Sequence, residues 1–97
     1  MIEREEALAI LRANFAELET MGVESIALFG SVARGDARPD SDVDVLVDVR
    51  PGVGFFGLFR VQERLEALLG TRVDLVARDA LKPYLRDRIL AEGLAAA

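Results

Sequence analysis

Ser41-Asp42-Val43-Asp44-Val45-Leu46-Val47-Asp48-Val49 alternates between apolar and acidic residues almost position by position. Successive side chains of a strand point to opposite faces. Val43, Val45, Val47 and Val49 therefore share one face, and Asp42, Asp44, Leu46 and Asp48 share the other. The spacing predicts a strand over 43–49 whose valine face lies in a core. Its opposite face brings two carboxylates together at one end.

On the N-terminal side, Ser25-Ile26-Ala27-Leu28-Phe29 is a short apolar run, read as a second buried strand and cut off by Gly30-Ser31. Val32 to Arg34 reads as the opening of a short helix, and 35–41 as a polar loop containing Pro39. Before that, Ala7, Leu8, Leu11, Phe15 and Leu18 recur at three- and four-residue intervals, which predicts one helix from Glu3 to about Met21, stopped by Gly22. On the C-terminal side, Pro51-Gly52-Val53-Gly54 marks a turn. Leu58, Val61, Leu65 and Leu68/Leu69 give a helix over 55–69 closed by Gly70. Arg72 to Ala77 reads as a third strand, with Asp74 on the face opposite to Val73 and Leu75. Asp79 is placed to cap a final helix from about Leu81 to Glu92, and Gly93 to Ala97 reads as a frayed small-residue tail.

The order helix, strand, short helix, strand, helix, strand, helix is an α/β (α+β) arrangement with one small sheet flanked by helices. No repeat or linker divides it, so residues 1–97 are expected to form a single domain. The longest apolar runs are too short to span a bilayer, and Met1 to Glu6 has no leader-like pattern, so a cytoplasmic location is expected.

Composition narrows the chemistry. The 97 residues include no cysteine, histidine or tryptophan. That excludes thiolate nucleophiles, imidazole bases and metal sites built on sulfur or imidazole. Acid–base and metal chemistry must come from carboxylates, arginines, hydroxyls and main-chain amides. The net charge is −5, which argues against a broad duplex-binding groove. Five of the eight aspartates fall between Asp36 and Asp48, a clustering that composition alone does not explain. Eleven of the 12 basic residues are arginine, which fits a GC-rich or thermophilic source.

Three features carry the candidate chemistry. A glycine directly after a buried strand permits a tight turn and close approach of a ligand. If Ser31 opens a helix, free amides face outward and form an anion site that Arg34 can reinforce with a bidentate guanidinium. Taken alone, Gly30-Ser31 reads more readily as a strand-to-helix turn with Ser31 as its cap. Asp42 and Asp44 project from one strand face about 6–7 Å apart. At an effective dielectric of about 20 their repulsion is roughly 2–3 kcal/mol, which a hard cation such as Mg²⁺ or Mn²⁺ would offset. Taken alone, this pair reads as a solvated edge strand whose acids discourage aggregation. Asp74 shifts the balance, because on a neighbouring strand it would complete a carboxylate triad able to hold two Mg²⁺ ions against an Mg-nucleotide.

Gly30-Ser31, Arg34-Gly35, Ser41-Asp42-Val43-Asp44-Val45-Leu46-Val47 and Val73-Asp74-Leu75-Val76 together resemble the polymerase-beta-like nucleotidyltransferase superfamily. In length the chain is similar to its minimal nucleotidyltransferase (MNT) antitoxin branch. The likeness extends through Pro51-Gly52 and Leu81-Lys82-Pro83-Tyr84-Leu85. The resemblance implies that fold, with a small mixed sheet. It implies that Gly30 and Ser31, with Arg34, bind the triphosphate of ATP or another nucleoside triphosphate. It implies that Asp42, Asp44 and Asp74 bind Mg²⁺ (or Mn²⁺), Asp74 also helping to activate the attacking hydroxyl. The implied biology is a type VII-like toxin–antitoxin module. Its antitoxin transfers AMP to a tyrosine of a HEPN-domain RNase toxin and releases pyrophosphate. The alternative is a binding module that neutralises or scaffolds a HEPN partner by contact alone. Ile26, Leu28 and the apolar faces of the terminal helices fit either a monomer core or a homodimer interface.

Overall fold

A computed structural model describes residues 2–80, 87 and 93–96. The element order is α1 (Arg4–Ala13), α2 (Phe15–Thr20), β1 (Val23–Phe29), α3 (Gly30–Arg34), β2 (Val43–Val49), α4 (Phe55–Leu69), β3 (Val73–Ala77), a 3₁₀ turn (Arg78–Ala80) and β4 (Leu94–Ala95). The four strands form one mixed sheet in the order β3-β2-β1-β4. β1 and β2 are antiparallel, β2 and β3 are parallel, and β4 runs antiparallel to β1. The parallel pair is joined through α4, the long crossover that parallel neighbours require.

The valine face of β2 behaves as its alternation predicts. Val43, Val45 and Val47 are fully buried, in one cluster with Leu8, Leu11, Leu18, Ile26, Leu28, Val61 and Leu65. α1, α2 and α4 thus supply the apolar stripes that cover one face of the sheet. Leu46, on the other face, is also buried but lies outside that cluster. β2 and α4 occupy the spans read from sequence, and β1 begins two residues earlier than expected, at Val23.

Two expectations are corrected. The N-terminal helix is not continuous: Asn14, at φ −110° and ψ 9°, separates α1 from α2. Its side-chain Nδ2 donates to the Ile10 carbonyl at 2.8 Å. A short amide side chain that competes for main-chain groups favours a break. The tail is not frayed either. Ala95 and Leu94 pair with Ala27 and Leu28, the Ala96 amide donates to the Ile26 carbonyl at 2.9 Å, and Ala96 is buried. Arg12 of α1 donates to the carbonyls of Ala95 and Ala96. The expected helix from Leu81 to Glu92, with the segment Leu81 to Leu85, lies outside the described residues apart from Asp87, which is helical and exposed. Asp79 sits within the 3₁₀ turn.

Candidate active site

The geometry begins with how three strands end. Antiparallel pairing sets Phe29, the last residue of β1, opposite Asp44. Parallel pairing sets Asp44 opposite Asp74. The C-terminal end of β1 and the N-terminal ends of β2 and β3 therefore meet at one end of the sheet. Gly30, Asp42, Asp44 and Asp74 gather there, as sequence reasoning placed them.

Gly30 is fitted to that position in two ways. Its φ is +73°, a conformation that L side chains rarely adopt. A Cβ built there would lie 2.0 Å from Oδ2 of Asp44. The missing side chain lets the turn and the Asp44 carboxyl occupy adjacent space. α3 then opens at Gly30, and its first amides lack intrahelical acceptors. Ser31 lies in this first turn, half-buried, and its carbonyl accepts from the Asp36 amide at 3.0 Å. Arg34 ends α3 and Gly35 closes it in the left-handed conformation. The Arg34 Nε meets Oδ2 of Asp36 at 3.3 Å.

Asp44 is half-buried and its carboxyl is held above the ordinary carboxylate range. Burial is the main cause. The charges of Asp74 and Asp42 add to it, and the Arg34 guanidinium works in the opposite direction. Arg34 therefore acts on Asp44 electrostatically even while paired with Asp36. Asp42 lies just before β2, and its Oδ1 meets the Nε of Arg72 at 3.2 Å. Among the described residues no three acidic side chains close around one point as a ligand set. The carboxylates share a sheet end and a repulsive field, a donor set of oxygen and negative charge that suits a hard divalent cation.

Sequence reasoning missed the residues that hold this frame. The Val43 amide donates to the Arg72 carbonyl at 3.0 Å and aligns the starts of β2 and β3. Gln62 and Glu66, one turn apart on α4, clamp Val73. Gln62 Nε2 donates to the Val73 carbonyl at 3.1 Å, and the Val73 amide donates to Glu66 Oε2 at 3.0 Å. β3 is an edge strand, and these side chains take up main-chain groups that an edge leaves open. Ser41 does similar work before β2. Its Oγ accepts from the Arg38 amide, and its own amide donates to the Arg38 carbonyl, both at 2.9 Å. The available signal was the i, i+4 spacing of Gln62 and Glu66 with the chain's one glutamine. Asp48, on the same face as Asp42 and Asp44, pairs with Arg78 at 3.7 Å farther down the strands.

Comparison with known proteins bears on the family and the fold. The sequence profile of the nucleotidyltransferase domain family matches residues 8–96. The protein adenylyltransferase MntA of Thermococcus cleftensis is 45% identical over 93 residues, 95% of this chain and 94% of that one. A solved structure described as a candidate minimal nucleotidyltransferase superposes with a TM-score of 0.85 at 39% identity, covering 96% of this chain and 95% of the other. Two more distant structures share the fold. One is a toxin–antitoxin with AMP-PNP, with a TM-score of 0.71 at 22% identity, covering 99% of this chain and 73% of the other. The other is a tri-AMPylated Shewanella oneidensis HEPN toxin in complex with MNT antitoxin, with a TM-score of 0.67 at 18% identity, covering 93% and 71%. Matched along nearly its whole length in sequence and in fold, the chain belongs to the nucleotidyltransferase domain family.

Proposed function

We propose that this chain is a Mg²⁺-dependent (or Mn²⁺-dependent) protein adenylyltransferase. In this reading it forms a single domain over residues 1–97 and moves AMP from ATP to a tyrosine hydroxyl of a HEPN-domain partner, serving as the antitoxin of the pair. The observation that carries the reading is the contact between Gly30 and Asp44. It makes the anion-binding turn and the carboxylates one continuous site rather than two neighbouring features. The likeness to a protein named adenylyltransferase, and to toxin–antitoxin structures of the same fold, supports the acceptor class.

Gly30, Ser31 and the following amides of α3 bind the outer phosphates, with Arg34 adding charge-assisted hydrogen bonds. Asp42, Asp44 and Asp74 would hold the cation. When bound, Mg²⁺ supplies positive charge to the reacting phosphate and to the leaving oxygen. Asp74, on the exposed edge of the triad, takes the proton of the acceptor hydroxyl. The hydroxyl oxygen forms a bond to the α-phosphorus, the bond to the bridging α–β oxygen breaks, and pyrophosphate leaves with that electron pair.

The test is incubation of the purified chain with labelled ATP, Mg²⁺ and the protein encoded beside it. Label on a partner tyrosine, lost in Asp42→Ala/Asp44→Ala, is the expected result. Absence of label with both proteins folded overturns the enzymatic reading. Neutralisation of the partner that survives the double substitution would instead establish a contact-only binding module.

A further inference from the structure

Arg72 is the one corner of the site that the roles above leave without a task. Val43 and Val73 are the first paired positions of β2 and β3, and Asp42 and Arg72 immediately precede them. Asp44 and Asp74 are the next residues on the same faces. Strands lie about 4.8 Å apart, and residues i and i+2 about 6–7 Å apart along each. Asp42, Asp44, Asp74 and Arg72 thus stand at the corners of a small rectangle, three anions and one cation. The cation is engaged, its Nε 3.2 Å from Asp42 Oδ1, while its side chain stays 77% exposed. Its main chain is fixed, since the Arg72 carbonyl accepts from Val43 and the next residue is clamped by Gln62 and Glu66.

Resting on the reading of Asp42, Asp44 and Asp74 as cation ligands, we propose that Arg72 is a built-in counter-ion of these carboxylates, a positioning residue that competes with the divalent cation for Asp42. A guanidinium in this place repels an incoming free cation and occupies one of its donors. A cation that arrives already bound to a polyphosphate meets less opposition, because the ligand offers Arg72 another anion to pair with. Arg72 therefore makes the site selective for the metal–nucleotide complex over the free metal.

The experiment measures Mn²⁺ binding to the nucleotide-free protein by the electron paramagnetic resonance of unbound Mn²⁺. Arg72→Gln is expected to bind Mn²⁺ about 3- to 10-fold more tightly than the unsubstituted chain at low ionic strength, with the gap narrowing as salt screens the exposed charge. Arg72→Lys, which keeps the charge, should stay near the unsubstituted value. In an Asp42→Asn background the Arg72→Gln change should move the affinity by clearly less, since the paired group is gone. Unchanged or weaker binding by Arg72→Gln, with saturable binding to the unsubstituted chain, overturns the counter-ion role and leaves the carboxylate site standing. No saturable Mn²⁺ binding by any variant overturns the cation-site reading and the counter-ion role with it.

Discussion

Asp44 of β2 and Asp74 of β3 are register partners on adjacent parallel strands, and Asp44 is both half-buried and facing a second acid. Burial first, and then the charges of Asp74 and Asp42, hold its carboxyl above the ordinary carboxylate range. A group whose folded pKa is raised contributes favourably below its unfolded pKa and loses that contribution as pH rises through the folded one. At pH 7 the metal-free protein therefore carries a folding cost at this position. Asp44→Asn keeps the shape and removes the charge. It should raise Tm at pH 7 in chelator-treated buffer, with the gain over the unsubstituted chain vanishing below about pH 3.8, while nucleotide transfer is lost. A Tm that falls at pH 7 would contradict the repulsion.

Gly30 combines a positive φ with a carboxylate where its Cβ would be. Gly30→Ala should cost about 1–3 kcal/mol in urea unfolding and reduce transfer at least as strongly as loss of Ser31. The site must shift either the turn or Asp44 to admit the methyl group. Full activity in Gly30→Ala would show that the close packing is dispensable.

Glu66 accepts the Val73 amide directly before Asp74. Glu66→Ala leaves a partly buried amide without its acceptor and should destabilise by about 1–3 kcal/mol. Hydrogen exchange should show a less protected N-terminal end of β3, with the Ile26 and Leu28 amides of β1 little changed. Glu66→Gln, which keeps an acceptor oxygen, should recover most of the loss.

Glu17 of α2 and Arg64 of α4 form a two-point pair, with Nη2–Oε1 at 3.0 Å. The hydrogen bond to Arg64 holds the Glu17 carboxyl below the usual carboxylate range, outweighing the opposing effect of burial, and the guanidinium charge adds a smaller lowering. A lowered folded pKa gives a contribution present above the unfolded value and lost as pH falls through the folded one. Glu17→Gln should be slightly less stable than the unsubstituted chain at pH 7, and the two should converge in acid. The pair is solvent-exposed, so salt should shrink the difference.

α4 carries residues of opposite consequence. Leu65 is fully buried, whereas Phe55 and Phe56 are each 78% exposed and stand edge to face. Leu65→Ala should cost about 2–5 kcal/mol. Phe56→Ser should leave the urea midpoint nearly unchanged, because a phenyl ring in water contributes little burial.

The parts of the fold legible in the sequence were those set by local pattern with strong boundaries. β2 declared itself because every second residue from Val43 to Val47 is a buried valine, and α4 because Gly54 and Gly70 bracket a helical repeat. The three aspartates and the Gly30 turn were legible because a strand fixes which residues share a face. What escaped depends on partners distant in sequence. Leu94 and Ala95 have no strand signature of their own, and they pair because β1 offers a free edge. Asn14 breaks the first helix by a side-chain bond that an apolar repeat conceals. Arg72 looked like the first residue of a strand, and its ion pair with Asp42 follows from a register between residues thirty positions apart.

β4 has a practical consequence for handling the protein. Ala95 pairs with Ala27, and two residues later β1 runs into Phe29 and Gly30. The last strand is a splint laid along the segment that delivers the glycine turn. Trimming by a carboxypeptidase past Ala96, or a stiff fusion that pulls this strand away, would loosen the turn from behind with every aspartate intact. A preparation damaged in this way would register as poor nucleotide affinity, and its cause would lie in a strand that carries none of the substituted residues.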